Sequence, residues 1–178
     1  EKAGRRANED VIATRMPGRT IRVQLSREDE FASAPISTAM AIELSAVLGE
    51  DNRPADWTIE IWSAPHAQRP GMNGNANLIG AEALPDAPTP NEQNDVPDER
   101  GGGATRNAYA LYDLPRHRLV HHQLAMPALR TSSMRGLGAF ANVFAIESFV
   151  DDLARARGED PVAWRLRQDH TLYATVGR

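Results

Sequence analysis

The chain of 178 residues has 41% hydrophobic and 25% charged residues, which excludes a wholly disordered protein and allows one sizeable core. Its net charge of −4 argues against binding to nucleic acid, because proteins that bind phosphate backbones normally carry a basic surplus. The absence of cysteine excludes a disulfide scaffold, a cysteine nucleophile and an iron–sulfur cluster held by this chain. No apolar stretch is long enough to span a membrane, and the lack of an initiator methionine leads us to expect a piece of a longer protein.

Three short elements are predicted at the beginning of the chain. The segment from Ala7 to Met16 is typical of a short helix, which Pro17-Gly18 ends. The segment from Thr20 to Ser26 alternates apolar and polar residues, and this period of two predicts a half-buried strand. An acidic turn, Arg27 to Glu30, follows the predicted strand.

The next segment, Thr38 to Leu48, fits two kinds of structure. Its many alanines are typical of a helix, but apolar residues such as Met40 and Ile42 alternate with polar or small ones, as in a strand. Turn residues from Asp51 to Pro54 then lead into a clear strand pattern from Trp57 to Trp62. This order favours the strand, and we predict a β-hairpin.

The middle of the chain has little regular pattern. From Pro65 to Thr105 it is rich in Pro, Gly, Asn and Asp, and this irregular segment is too long for an ordinary connection within a domain. It either lies against something absent from this chain or is mobile. Order is expected to return at Ala108 to Tyr112. After the turn Leu114-Pro115, a short strand is predicted from Arg118 to Leu124.

The strongest periodic pattern lies in the C-terminal third. From Ala139 to Ala156 apolar residues recur at steps of three and four, which predicts a long amphipathic helix that Gly158 ends. The residues predicted to face the core are Phe140, Val143, Ile146, Phe149 or Val150, and Leu153. Asp160-Pro161 is typical of the beginning of a second helix, with Asp160 as its N-cap. The packing residues predicted for this second helix are Val162, Trp164 and Leu166.

Histidines and paired acids are the first candidates for a site. On a strand, His117 and His121 would point to one face and His122 to the other, so the three cannot easily meet at one metal ion. The acids of Glu28 to Glu30 and of Asp151-Asp152 diverge in direction and lack the apolar surroundings that raise a carboxyl pKa for acid catalysis. We interpret the histidines as structural or exposed and these acids as solvated surface.

Glu147 and the triple glycine Gly101 to Gly103 are two further candidates. Glu147 lies near the apolar stripe of the long helix, where an unpaired carboxylate would cost roughly a few kcal/mol. We therefore favour a hydrogen-bonded structural carboxylate over a role in a site. The triple glycine lacks the flanking strand and helix of a phosphate-binding loop and is predicted to be a flexible stretch.

One segment, Thr131 to Ala139, has the composition of a ligand-binding loop. It places Arg135, Gly136 and Gly138 directly before the longest predicted helix. Glycine allows main-chain N–H groups to approach a ligand closely, and a helix N-terminus favours an anion. One interpretation is an oxyanion or phosphate-like ligand held by main-chain donors near Arg135. The other is a loop whose glycines serve only the turn, and spacing alone favours it.

Several stretches of the sequence resemble a known family. The most specific are Ser133 to Gly138, Ala141 to Ala154 and Asp160 to Arg167, and Gly18 to Glu30 is similar to a strand and turn of the same family. They resemble the molybdopterin-binding large subunit of the xanthine dehydrogenase and aldehyde oxidase family, in the branch of isoquinoline 1-oxidoreductase and nicotinate dehydrogenase. The resemblance covers nearly the whole chain. It implies an α+β fold in which residues 1–178 are a partial molybdenum cofactor-binding domain, with β-hairpins packed against a long C-terminal pair of amphipathic helices.

The resemblance also implies a role for the glycine-containing segment. In the family, the residues matching Ser133, Met134 and Arg135 lie beside the molybdenum centre, where main-chain groups bond the oxygen ligands of the metal and the pterin. Gly136 and Gly138 would keep that approach open. The implied cofactor is molybdopterin with molybdenum, in its cytosine dinucleotide form, bound by the full-length parent. No catalytic residue and no metal ligand is assigned to this chain.

The implied parent is a bacterial oxidoreductase that hydroxylates an aldehyde or an N-heterocycle with oxygen from water. Its partners would be an iron–sulfur small subunit and the remainder of the large subunit, in the cytoplasm or the periplasm. Ser37 lies near the position of the xanthine-type substrate arginine, which argues against a purine substrate. Because the catalytic glutamate of the family belongs to a motif that this chain lacks, we expect the isolated chain to have no hydroxylase activity. The alternative is a degenerate, non-catalytic module that keeps the fold for assembly or binding.

Overall fold

The fold combines a small sheet with helices. The computed structural model describes residues 12–67, 94–125 and 131–168. In chain order the elements are helix α1 (Arg27–Ser33), strands β1 (Met40–Leu48) and β2 (Pro54–Ser63), a 3-10 turn (Asp98–Arg100), strand β3 (His117–Gln123), and helices α2 (Ala139–Ala156) and α3 (Pro161–Gln168). The predicted α+β class is confirmed for these residues. Of the helix predicted from Ala7 to Met16, residues 12–15 are helical and the beginning lies outside the described residues.

The first two strands form the predicted hairpin. β1 and β2 pair antiparallel, with Ile42 opposite Ile61 and Leu44 opposite Ile59, so the ambiguous alanine-rich segment is a strand. Burial alternates along both strands, as expected for a hairpin with one face on the core. Apolar side chains at every second residue therefore outweighed the helix propensity of the alanines.

The third strand adds to the hairpin on the β2 side. The sheet order is β1-β2-β3, and β3 lies parallel to β2 with Leu119 opposite Ile59. A parallel neighbour requires a crossover connection, here residues 64–116, instead of a tight turn. The predicted irregular segment belongs to this crossover. Its described parts, residues 65–67 and 94–105, contain turns and the 3-10 turn but no strand, and its centre lies outside the described residues.

The core lies between one face of the sheet and the two C-terminal helices. Its buried members are Trp57, Ile59 and Ile61 from β2, Ala108 from the crossover, Ile146, Val150 and Ala154 from α2, and Trp164 from α3. Phe149 of α2 meets Trp57 edge-on, with ring centroids 5.3 Å apart. Burial of each large side chain contributes about 1.5–3 kcal/mol, so this cluster is the main source of stability in the described residues.

The strand predicted from Thr20 to Ser26 is wrong. The segment has no strand partner among the described residues. Ile21 and Val23 are half-buried and Arg22 between them is exposed, but Leu25, the third apolar residue of the pattern, is exposed. A strand also needs a neighbouring backbone to accept and donate its hydrogen bonds, and the described residues offer none there.

The acidic turn predicted after that segment is the first turn of α1. The Ser26 hydroxyl accepts a hydrogen bond from the Asp29 amide at 3.1 Å, and the Asp29 carboxylate accepts one from the Ser26 amide at 2.9 Å. This reciprocal capping box satisfies two amides at the helix start. The acids of the first turn also interact favourably with the positive end of the helix.

Helix α2 has the predicted bounds but a shifted buried face. Its buried residues follow a row at steps of four, namely Asn142, Ile146, Val150 and Ala154. Phe140 and Val143, which were predicted to face the core, are 83% and 43% exposed. The sheet and α3 pack along the i, i+4 row, so the first turn of α2 projects its apolar side chains away from this core. Neither α2 nor any other helix in the described residues is long and apolar enough to cross a lipid bilayer.

Helix α3 begins as predicted and packs through one residue. The Asp160 carboxylate accepts hydrogen bonds from the amides of Val162 and Ala163, at 3.0 and 2.9 Å, which confirms Asp160 as the N-cap. Trp164 is fully buried. Val162 and Leu166 are 62% and 66% exposed, so two of the three predicted packing residues are wrong.

Candidate functional site

The candidate site is the segment Thr131 to Gly138, called the bend from here on. In the chain it follows β3 and directly precedes α2. Thr131 forms an isolated parallel bridge with Ile36, shortly before β1. Met40, the first residue of β1, pairs with Ser63, the last residue of β2. The bend therefore lies at the edge of the sheet where the parallel strands β2 and β3 end.

The tip of the bend is exposed. Met134, Arg135 and Gly136 are exposed, and Ser133 and Leu137 on either side are half-buried. Arg135 has no ion pair and no side-chain hydrogen bond with any described residue. The tip therefore presents a cation that no described carboxylate neutralises.

The main-chain amides of the bend form two groups. Carbonyl oxygens 3.0 Å away accept hydrogen bonds from the amides of Leu137, Gly138 and Ala139. The amides of Met134, Arg135 and Gly136 have no acceptor within the part of the chain that the structure describes. Successive unpaired amides at a turn are a favourable place for anionic oxygen atoms.

The two glycines of the bend are required for different structural reasons. Gly136 has φ of +89°, which glycine adopts at little cost, and a Cβ there would meet no described residue within 4 Å. Gly138 has an ordinary helical backbone, but a Cβ there would lie 2.2 Å from the Ala104 carbonyl oxygen. The space beside Gly138 is therefore filled by the crossover, whereas the space beside Gly136 is open.

Helix α2 begins directly after the bend with its positive end uncapped. Gly138 is the N-cap residue, no described side chain caps the helix, and the first turn contains no acid. A helix of this length carries roughly half a positive charge at its N-terminus. An anion at the tip of the bend would meet this charge together with Arg135.

Glu147 is a satisfied structural carboxylate, as predicted. It accepts hydrogen bonds from the Tyr112 hydroxyl at 2.9 Å and from Arg165 Nε at 2.8 Å. Burial, followed by the contact with Glu147, raises the pKa of Tyr112 to about 12. Asp151, predicted as solvated surface, is instead a second partner of Arg165 at 2.7 Å, and this hydrogen bond holds the pKa of Asp151 below its ordinary value. The network joins α2 to α3, and the Glu147 carboxylate is satisfied by its hydrogen bonds to Tyr112 and Arg165.

The histidines of β3 divide between two faces of the sheet, as predicted. His117 and His121 lie opposite buried residues of β2, and burial lowers the pKa of His117. His122 lies on the other face, where it stacks on Trp62 with ring centroids 4.6 Å apart. In the described residues no group of three or more His, Asp or Glu side chains could hold a metal ion.

The triple glycine has defined turns, which differs from the predicted flexible stretch. Gly101 and Gly102 have φ of +91° and +66°. Their amides donate to the carbonyl oxygens of Asp98 and Pro97, at 2.8 and 3.1 Å. These glycines are needed for the turn itself, and the adjoining Gly103 contacts the bend through its carbonyl oxygen.

Three residues that support the bend were missed by sequence reasoning. They are His66, Asp95 and Asn142, which the crossover and α2 bring to the base of the bend. Asn142 had a recognisable signal, because it is the polar member of an otherwise apolar i, i+4 row. His66 and Asp95 come from the irregular segment, where no periodic pattern singles them out; His66 fits the family resemblance, but no role was predicted for it. His66 is bonded to Ser63 through its Nε2 at 3.0 Å, but both side chains are buried, so this pair is structural.

Comparison with known proteins supports the resemblance seen in the sequence. The chain is similar to a nicotinate dehydrogenase chain of Pseudomonas putida, with 32% identity over 169 residues that cover 92% of this chain and 13% of that protein. It is also similar to the beta chain of isoquinoline 1-oxidoreductase of Brevundimonas diminuta, with 30% identity over 155 residues, 86% of this chain and 17% of that protein. The chain thus spans less than a fifth of either relative. No family model and no solved structure matches it.

Proposed function

We propose, from this similarity to subunits of bacterial oxidoreductases, that the chain is part of the large subunit of a molybdenum hydroxylase. The parent enzyme would hydroxylate its substrate with oxygen derived from water. Both relatives are named for N-heterocycles, nicotinate and isoquinoline, which favours an N-heterocycle over an aldehyde. Electrons would leave through an iron–sulfur small subunit, and the remainder of the large subunit would complete the active site.

The chain would contribute a molybdopterin-contacting loop, formed by Ser133, Met134, Arg135, Gly136 and Gly138. The observation that carries this role is a group of three amides at the exposed tip of the bend, those of Met134 to Gly136, which have no acceptor among the described residues. The charge of Arg135 and the uncapped start of α2 add to it. These donors fit a group that is rich in anionic oxygen atoms, as a dinucleotide form of molybdopterin is.

The roles of the bound cofactor and of this chain would be separate. The cofactor would supply the oxidation chemistry of the hydroxylation. Main-chain donors of Met134 to Gly136 would hold and orient its oxygen atoms, and Arg135 would balance negative charge. Gly138 would contribute indirectly, because the absence of a side chain allows the bend to pack directly against the backbone of the crossover.

The test is an Arg135→Ala variant of the full-length large subunit, purified with its partner subunits. The lost charge-assisted contact should weaken cofactor retention about 10- to 100-fold, since such a hydrogen bond contributes roughly 1.5–3 kcal/mol. Molybdenum per protein, measured during dialysis, gives the retention. The matched control is Arg157→Ala, an exposed arginine at the other end of α2, which should retain molybdenum like the unmodified enzyme.

Two results would change the conclusion. Equal retention in Arg135→Ala and Arg157→Ala would refute the role of the bend. A full-length natural protein that contains no molybdenum would instead support the alternative, a non-catalytic module that keeps the fold for assembly.

A further inference from the structure

The carboxylate of Asp95 accepts hydrogen bonds from residues that contact the bend at both of its ends. Asp95 Oδ1 accepts hydrogen bonds from the amides of His66 at 3.0 Å and Val96 at 2.9 Å. Asp95 Oδ2 accepts one from the amide of Ala104 at 2.6 Å. Hydrogen bonds to an ionised carboxylate are shorter and stronger than neutral ones. Asp95 thus joins the segment after β2 to the triple-glycine turn, across the crossover.

The first end of the bend is bonded to the His66 peptide. The Ser133 hydroxyl donates to the His66 carbonyl oxygen at 2.5 Å. The His66 amide in turn donates to Asp95. His66 is 1% exposed and its ring is bonded to Ser63, so this residue cannot turn freely. The position of Ser133 therefore depends on the contact between His66 and Asp95.

The second end is bonded to the peptide groups of Gly103 and Ala104. The Gly138 amide donates to the Gly103 carbonyl oxygen at 3.0 Å. The Asn142 side chain donates to the Ala104 carbonyl oxygen at 2.7 Å, and it is fully buried. A Cβ at Gly103 would lie 1.8 Å from Asp95 Oδ1, so the turn and the carboxylate are in direct contact.

We propose that Asp95 is a positioning residue for the bend, acting through His66 at one end and Ala104 at the other. Its ionised carboxylate is required because both oxygens must accept, and an amide side chain offers an acceptor on one side only. These contacts hold the bend on the side away from its tip, so the tip amides need no acceptor among the described residues to stay in place. The consequence for cofactor binding rests on the function proposed above, whereas the effect on the bend does not.

The test is hydrogen exchange in the full-length large subunit, with Asp95→Asn compared with the unmodified protein. Asparagine should keep its oxygen on the two donors His66 and Val96, and its NH₂ group would then face the Ala104 amide. Exchange of the Ala104 and Gly138 amides should rise about tenfold or more, as expected when a buried hydrogen bond is lost. Amides of β2 should exchange as before.

The matched control is Asp98→Asn. The Asp98 carboxylate accepts a hydrogen bond from the Thr105 hydroxyl in the triple-glycine turn, and it makes none to the bend in the described residues. Its variant loses one charge from the same turn and should leave exchange at Gly138 unchanged. If Asp95→Asn gives no folded protein, Asp95→Glu keeps the charge but displaces the oxygens, and a smaller rise confined to the same amides is expected.

Each outcome decides the proposal. Unchanged exchange at Gly138 in Asp95→Asn overturns it, and so does an equal rise in β2, which would mean that Asp95 stabilises the fold generally. Molybdenum retention in the Arg135→Ala variant, measured as described above, separates the two proposals. Faster exchange in Asp95→Asn together with full retention in Arg135→Ala keeps the positioning role and rejects the cofactor role. Unchanged exchange in Asp95→Asn together with lower retention in Arg135→Ala rejects the positioning role of Asp95 and keeps the cofactor role of the bend.

Discussion

Replacement of Gly138 by alanine tests the contact between the bend and the crossover. The added methyl group would lie 2.2 Å from the Ala104 carbonyl oxygen and 2.7 Å from that of Gly103. Both neighbours are backbone atoms and cannot rotate away. Since Gly138 already has helical φ and ψ angles, alanine causes no backbone strain of its own. The unfavourable effects of the substitution therefore arise from this contact and from the displacement of the bend that it causes.

The magnitude follows from three contributions. Overpacking of this kind costs about 1–3 kcal/mol. Loss of the 3.0 Å hydrogen bond from the Gly138 amide to Gly103 adds about 0.5–1.5 kcal/mol. Alanine also lowers the conformational entropy of the unfolded chain, which stabilises the folded state by about 0.4–1 kcal/mol. We expect the free energy of unfolding to fall by about 2–3 kcal/mol.

The assay is urea unfolding of the 178-residue chain, followed by tryptophan fluorescence. Trp57 and Trp164 are 1% and 0% exposed, so both report loss of the core. The matched control is Gly136→Asn in the same bend, where the space is open and asparagine tolerates a positive φ. That variant should lose less than about 1 kcal/mol. A Gly138→Ala protein as stable as Gly136→Asn would refute the argument.

Three other predictions concern stability and pH. Tyr112→Phe should lower the free energy of unfolding by about 1–2 kcal/mol, because the hydroxyl bonded to Glu147 is lost; urea unfolding measures this. Asp160→Ala should cost about 1 kcal/mol and shorten α3, because two amides lose their acceptor; circular dichroism and urea unfolding measure both effects. Burial lowers the folded-state pKa of His66 and His117 below 6.5. The unfolded chain then binds protons first, so stability should be complete above about pH 7.5 and fall as the pH decreases through about 6.5.

Clear results would contradict each of these. Full stability of Tyr112→Phe would mean that Arg165 alone satisfies Glu147. Unchanged helix content in Asp160→Ala would mean that water replaces the cap. A free energy of unfolding that does not change between about pH 7.5 and about pH 5.5 would mean that the buried rings are protonated as easily as in the unfolded chain.

Local patterns determined much of the fold. The bounds of α2, Ala139–Ala156, and the start of α3 at Asp160-Pro161 were predicted correctly, because periodicity and capping involve residues within a few positions of one another. The hairpin followed from the same kind of local alternation. The resemblance to the large subunits of nicotinate dehydrogenase and isoquinoline 1-oxidoreductase was also visible in the sequence, chiefly from Ser133 onward, and the comparisons bear it out.

Tertiary structure alone decided which faces and which distant residues meet. The segment Thr20 to Ser26 alternates like a strand but lacks a partner in the described residues, and Phe140 fits an apolar stripe but lies on the exposed side of α2. The contacts of Asp95 with His66 and Ala104 join positions 29 and 9 residues apart across an irregular segment. A local pattern records what one element could bury or bond. The packing of separate elements determines which of those possibilities has a partner, and that information is not contained in any single stretch of the chain.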